Sequence, residues 1–262
     1  MNSDTSWSRK RAVDVHDETA GMFSVEYASD NVYDSPFRYG RHLIDQAWSG
    51  VVATLPKGAK GLDIGAGIGV YMARLLEVGF DVKGIEPSPE MRKLAHERVP
   101  EDRIVDGTVL HLPVADSSQD FIYAIEVFRY LDSADNRAGH RAILRALKPG
   151  GVYFGTYVNR LALDLYRQLV GVRSLLGKAR GHAPRYHVEF ETPSSLRRKL
   201  TAAGFSSVEL HGAMLAPLRL LHKLSPKLGT AISRQTMPRE DWLSDSTVTR
   251  PFAGHLIAIA RR

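Results

Sequence analysis

The chain predicts an open α/β sheet with helices wound on both sides of it. Three observations carry that expectation. Short apolar segments alternate with helical ones between about residues 59 and 158. The turn Gly65-Ala66-Gly67-Ile68-Gly69 joins a strand (Leu62-Asp63-Ile64) to an apolar helix, Val70 to Val78. Such a turn lets a ligand approach the backbone and meet the amides of a helix start. An acid, Glu86, then stands at the tip of the next strand, where it can accept bonds from both hydroxyls of a ribose.

The elements follow in order. Residues 1 to about 36 read as polar and irregular, with aromatics at Trp7, Phe23, Tyr27 and Tyr33. A helix then places Leu43, Ile44, Ala47, Trp48, Val51, Val52 and Leu55 on one face and stops at Pro56-Lys57-Gly58. Gly61–Ile64 is a strand, 70–78 a helix stopped by Gly79, and Val82–Glu86 a strand. Ser88 caps the next helix, with Pro89 in its first turn. Arg103–Val105 and Phe121–Val127 are strands, Ala134 to Leu147 a helix, and Val152–Val158 a strand behind the Pro149-Gly150-Gly151 turn.

After Val158 the alternation breaks. In 159–191, Leu161, Leu165, Leu169, Val172 and Leu176 recur at helical spacing among Arg160, Arg167, Arg173 and Lys178. A helix capped by Thr192 and stopped by Gly204 follows, then strands at Val208–Leu210 and Gly254–Ala260. Between those strands lies a second excursion, 212–253. Long excursions from a compact domain are commonly functional, and in such a sheet they surround the ligand crevice. The expected organisation is an N-terminal lid and first helix (1–58), then a domain (59–262) whose insertions at 159–191 and 212–253 build the substrate pocket.

Composition narrows the field. The chain has no cysteine, which excludes disulfides, thiol nucleophiles and thiolate metal sites. No apolar stretch is long enough to span a membrane, and the first residues lack a secretory leader's apolar core, so a cytoplasmic location is expected. No metal-binding constellation stands out. Residues 1–150 hold 18 Lys+Arg against 22 Asp+Glu; of the net +6, the basic excess therefore lies in residues 151–262. A positive field there favours an anionic substrate or surface.

The ordered series of motifs resembles the class I S-adenosylmethionine-dependent methyltransferase family, of the small-molecule (UbiE/UbiG-like) type. The turn reads G-x-G-x-G, with Asp63 two residues before its first glycine. Gly107-Thr108-Val109 with Leu112-Pro113 resembles the segment that closes over adenine, although the family often has an acid at Thr108. Phe121 to Val127 resembles the fourth strand with its acidic tip, and Leu147-Lys148-Pro149-Gly150-Gly151 the turn before the fifth. The resemblance covers residues 59 to 157. It implies a Rossmann-like doubly wound sheet of about seven strands, mostly parallel with the last antiparallel, and helical lid insertions. It also implies S-adenosyl-L-methionine as cofactor. The turn from Gly65 to Gly69, with Ala66 and Gly67, would then wrap its methionine part and Glu86 would hold the ribose, with Asp63 and Pro87 in the same site, while Met91, Gly107, Thr108 and Val109 would meet the adenine. Glu126 falls near the sulfonium, and Tyr27 and Arg41 reach the cofactor's carboxylate from the N-terminal segment.

The sulfonium is already an activated electrophile, so the protein's tasks are alignment and exclusion of water. For an oxygen acceptor of high pKa a general base helps. Among His16, His111, His182, His187, His211 and His222, the reading selects His187, which leaves the basic insertion beside the crevice, and then His16 in the lid. Arg129-Tyr130 can contact substrate. The expected activity is methyl transfer to a small-molecule acceptor, such as a sugar, phenolic or polyketide-type hydroxyl, with an anionic acceptor favoured by the charge. The alternatives are a lipid-like acceptor at a membrane surface, for which 160–178 and 215–224 are suitably amphipathic and basic, RNA methylation, or a non-catalytic binding protein. Nucleic acid is disfavoured because no RNA-binding module or Asn-Pro-Pro-Tyr-type motif is present.

Overall fold

The computed structural model describes residues 5–163, 171, 172, 176 and 188–262. Its centre is a seven-stranded sheet in the order β3-β2-β1-β4-β5-β7-β6. The strands are β1 (Lys60–Ile64), β2 (Asp81–Ile85), β3 (Ile104–Val105), β4 (Gln119–Ala124), β5 (Leu147–Val158), β6 (Ser207–Ala213) and β7 (His255–Arg261). β3, β2, β1, β4 and β5 are parallel, and β7 runs antiparallel between β5 and β6. The expected seven strands and the single reversed one are both present.

Helices cover both faces. In chain order they are α1 (Thr5–Ala28), α2 (Pro36–Val52), α3 (Val70–Glu77), α4 (Pro89–Ala95), α5 (Ser133–Ala146), α6 (Pro193–Ala203), α7 (Leu218–Leu224), α8 (Pro226–Thr236) and α9 (Glu240–Ser244). Several starts are set by side-chain caps: Ser35, Ser88, Asp132 and Thr192 each accept from a backbone N–H of the first turn. Each such cap contributes about 1 kcal/mol. On one face Trp48 of α2 packs its ring 4.7 Å from Tyr123 and 5.1 Å from Phe154. On the other, Leu196 and Leu200 of α6 join Ile143, Tyr153 and Phe205 in a buried cluster.

The N-terminal segment is the main correction. Residues 5–28 form a long helix, not an irregular segment. Its buried residues (Ala12, Val15, Ala20) share one face, but they are small and interleaved with the polar His16 and Thr19, so periodicity gives little signal. It is docked by small and polar contacts: Ala20 against Ile68 and Met91, Arg9 Nη1 at 2.5 Å from Asp135 Oδ2, and Asp17 accepting from the Ser88 hydroxyl. A second correction concerns the fourth strand, expected to reach Val127. It stops at Ala124 because Glu126 adopts a left-handed backbone conformation, φ 61°. Residues 212–253 hold α7, α8 and α9 between β6 and β7. Leu165, Leu169, His182 and His187 lie outside the described residues.

Candidate active site

One large cavity, about 580 Å³, opens at the carboxyl edge of the parallel strands. Its floor is the β1–α3 turn. Gly65 has φ 69°, and a Cβ there would lie 2.5 Å from Val127 Cγ2, so neither the conformation nor the space admits a side chain. Gly65 N and Ala66 N donate to Ile85 O at 2.8 and 3.1 Å, which ties the turn to β2. Gly67 N donates to Glu86 Oε2 at 2.9 Å, and Ser88 N donates to Glu86 Oε1 at 2.9 Å. Each Glu86 oxygen thus has one backbone donor and keeps acceptor capacity toward the cavity.

Asp63 is buried beside this turn, with no hydrogen-bond partner for its Oδ2. Burial pushes its carboxyl up to about 8, with opposing help from the Tyr123 hydroxyl and a further push from the Glu86 charge. Burial also raises Glu86, against the Ser88 and Gly67 amides. Across the cavity, the Arg41 guanidinium lies 4.4 Å over the Tyr27 ring. Its Nε and Nη1 are buried with no hydrogen-bond partner. Burial raises the Tyr27 hydroxyl to about 12, with Arg41 opposing.

Every candidate cofactor residue lines this single cavity: Asp63, Gly65, Ala66 and Gly67; Glu86, Pro87 and Met91; Gly107, Thr108 and Val109; Glu126; and Tyr27 with Arg41. Met91 also packs on Ala20 and Ile68, so it ties α1 to this wall. Thr108 bridges to His111, whose N donates to Thr108 O at 3.0 Å.

The other end of the cavity is built from more distant parts of the chain. From α1 come Arg9 and His16. His16 Nδ1 lies 2.6 Å from Ala12 O, so it carries the proton of the neutral ring, and the ring stands edge-on to Tyr130 at 4.9 Å. From the end of β4 comes Glu126, whose Oε2 accepts from Arg129 Nη1 at 2.7 Å and whose Oε1 accepts from Thr156 Oγ1 at 3.1 Å. Burial alone would raise Glu126, but His255 and Arg129 hold its carboxyl well below the usual carboxylate range. Arg219 of α7 and His255 of β7 complete this end. Sequence reasoning missed both of these residues. His255 carries a weak signal, a polar residue opening an otherwise apolar final strand, and Arg219 carries none. Among the described residues no group of three or more His, Cys, Asp or Glu side chains is arranged to hold a metal ion, and no helix is long and apolar enough to cross a membrane.

Comparison with known proteins agrees with this geometry. The methyltransferase-domain family matches residues 62–155, which run from β1 into β5. An uncharacterized methyltransferase of Alkaliphilus oremlandii is 31% identical over 57% of this chain and 74% of its own length. A ubiquinone biosynthesis O-methyltransferase of Azorhizobium caulinodans is 30% identical over 62% of this chain and 65% of its own. The magnesium protoporphyrin IX methyltransferase of Synechocystis shares the fold, with a TM-score of 0.62 at 14% identity over 97% of this chain and 99% of that one. The chain belongs to the class I S-adenosylmethionine-dependent methyltransferases.

Proposed function

We propose that this methyltransferase acts on a hydroxyl oxygen of a small, largely apolar and negatively charged acceptor, of the phenolic or polyketide type. The observation that carries this reading is the composition of the cavity's far end. Phe23, Phe37, Tyr130 and the His16 ring supply apolar and aromatic surface there, and Arg9, Arg129 and Arg219 stand among them with the acids Glu126 and Glu26. Aromatic walls suit a flat ring, and guanidinium groups suit a carboxylate or phenolate. The name of the ubiquinone biosynthesis relative points the same way.

The cavity's near end fits S-adenosylmethionine. The partnerless Asp63 oxygen and the partnerless Arg41 nitrogens match the ammonium and the carboxylate of an amino acid. The remaining acceptor capacity of Glu86 matches a ribose diol, and Met91 with Val109 offers an apolar wall for the adenine. When bound, the cofactor supplies a methyl group already activated by its sulfonium. The chain's own residues orient the two reactants and keep water out, and α1 closes over the cavity to do so. That closure disfavours RNA as acceptor.

A second reading, a lipid-like acceptor, draws on Leu224, Leu228 and Trp242, which are exposed in the 212–253 insertion together with Lys223, Lys227 and Arg239. The test is calorimetric titration with S-adenosylhomocysteine, followed by methyl transfer from labelled S-adenosylmethionine to a panel of hydroxybenzoates, catechols, sugars and hydroxylated lipids. One site per chain and transfer to the charged phenols are expected. Transfer confined to lipids or sugars would replace the acceptor, and absence of binding would remove the cofactor assignment.

A further inference from the structure

A histidine that no motif singles out stands where the acceptor must lie. Because β7 runs antiparallel, its first residue is at the carboxyl edge of the parallel strands, paired with Val158 of β5 and Ala213 of β6. His255 is 5% exposed, and what remains accessible belongs to the cavity wall. Its Nε2 lies 2.6 Å from Arg219 Nη2. A guanidinium only donates, so Nε2 carries the lone pair and the neutral ring has its proton on Nδ1. That nitrogen lies 3.2 Å from Glu126 Oε1, in a loosely aligned contact.

Glu126 is fixed for this contact. Its φ of 61° is rare for a residue with a side chain. Such a conformation persists only where the surroundings over-determine it. Here Glu126 N donates to Thr156 Oγ1 at 2.8 Å, and the same hydroxyl donates back to Oε1. Arg129 holds the other carboxylate oxygen. An acid thus lies beside one ring nitrogen of His255, and a guanidinium covers the other at the cavity wall. With the guanidinium turned aside, an acid–histidine pair at a cavity wall is an arrangement in which histidine takes a proton from a hydroxyl. Arg219 Nη2 occupies the position from which an acceptor hydroxyl would donate.

Resting on the methyl-transfer reading above, we propose that His255 is the general base of the reaction, with Glu126 as its positioning residue and Arg219 as the group that the acceptor hydroxyl displaces from Nε2. Nε2 takes the proton of the acceptor hydroxyl as an oxygen lone pair forms the bond to the methyl carbon. The carbon–sulfur bond breaks with its electron pair going to sulfur. The products are the methyl ether, S-adenosylhomocysteine and an imidazolium, which Glu126 then faces as counter-ion. The charged and titratable groups around the ring are Glu126 at the end of β4, Arg129 just beyond it and Arg219 of α7, with Arg9 and His16 of α1 on the same cavity.

The experiment pairs kinetics with nitrogen-15 NMR of the histidine rings. His255→Asn is expected to lower kcat by about 10²- to 10³-fold. It is expected to leave S-adenosylhomocysteine affinity unchanged and to abolish the rise of kcat with pH that comes from ring deprotonation. Glu126→Gln is expected to shift that limb to lower pH, because the counter-ion of the imidazolium is gone, and to lower kcat more than it changes KM. In the wild-type protein bound to S-adenosylhomocysteine, the neutral form of the His255 ring is expected to carry its proton on Nδ1. A His255→Asn enzyme within about threefold of wild type, with its pH limb intact, would overturn the proposal, since a base contributes far more than that. A ring carrying its neutral-form proton on Nε2 would overturn it as well, even where His255→Asn fails to fold. A wild-type enzyme that binds S-adenosylhomocysteine but methylates no hydroxyl of the panel would instead overturn the acceptor reading.

Discussion

The two ends of the cavity are made in different ways. The near end is built around one stretch of chain, β1 through the Ser88 cap, in which a turn with glycine-specific backbone angles meets the acid at the tip of the neighbouring strand, with Arg41, Met91 and Val109 adding walls from elsewhere. The far end gathers Arg9, His16, Glu126, Arg129, Arg219 and His255, residues separated by as much as the length of the fold. The near end is therefore specified by local backbone geometry, and the far end by how β7 inserts between β5 and β6 and how α1 and α7 close over the edge. A local device of this kind can stay constant while the far end is rebuilt for another acceptor, which is how one fold hosts many activities.

The comparison is tested most severely at the near end. Glu86→Ala removes the acceptor of both Gly67 N and Ser88 N as well as the proposed ribose contact. We expect S-adenosylhomocysteine affinity to fall by at least about 100-fold, because charged hydrogen bonds are worth roughly 1.5–3 kcal/mol each. Calorimetric titration measures this. A loss of less than about threefold, two-thirds of a kcal/mol, would show that the near end does not hold the cofactor through this acid.

The far end depends on one buried clamp. Tyr39 of α2 donates to Glu240 Oε2 at 2.5 Å, while Met214 N and Leu215 N donate to Glu240 Oε1 at 2.7 and 3.2 Å. These bonds join α2 and the exit of β6 to α9, and so support the segment that delivers Arg219. Glu240→Ala leaves the Met214 and Leu215 amides without their acceptor and the Tyr39 hydroxyl with only Thr236 Oγ1. We expect a loss of about 3 kcal/mol and a fall in Tm of roughly 6–12 °C, read by thermal denaturation. The variant should lose acceptor KM before it loses cofactor affinity. Equal losses in both would mean that the two ends are not separately built.

Much of the near end was legible because its signals are local. The alternation of β1, α3, β2 and α4, the Ser88 cap and the acid at Glu86 all fall within a short window, where spacing reports contact directly. The far end was legible only in part, through Glu126, His16 and Arg129, for three physical reasons. α1 docks through small and polar contacts, so its helix carries little apolar periodicity. Glu126 ends β4 early through a positive φ that an ordinary apolar run conceals. His255 reaches Glu126 only because the final strand is reversed, a juxtaposition that spacing does not encode. His187, selected from its place at the exit of the basic insertion, lies outside the described residues, so His187→Ala beside His255→Asn separates the two as bases.

Asp63 offers a subtler way to sharpen the comparison. Its folded value of about 8 stands above the ordinary 3.8. Between these values the folded protein holds a proton that the unfolded chain has released. The stability this group contributes is therefore complete below 3.8 and is lost as pH rises through 8. Asp63→Asn should flatten the fall in apo-protein Tm between pH 5 and 9. Binding the cofactor's ammonium should ionise Asp63, so titrations near pH 7 in buffers of different ionisation enthalpy should show release of up to about one proton, absent from Asp63→Asn. Equal proton release in both proteins would mean that the ammonium lies elsewhere.

The smallest effect is expected at His16, and it distinguishes a wall from a base. Its Nδ1 is committed to Ala12 O, and its ring is packed edge-on against Tyr130 and stacked 6.0 Å from Phe23. These contacts describe a side chain packed into the cavity wall from α1, which on the proposed function shapes the acceptor end. Removing the ring should cost one aromatic contact of about 1 kcal/mol, which is roughly a fivefold rise in acceptor KM with kcat nearly unchanged. His16→Phe should restore most of that loss, since the ring's surface and not its basicity is what the acceptor meets. A fall in kcat with unchanged KM, and no rescue by phenylalanine, would move the base from β7 to α1.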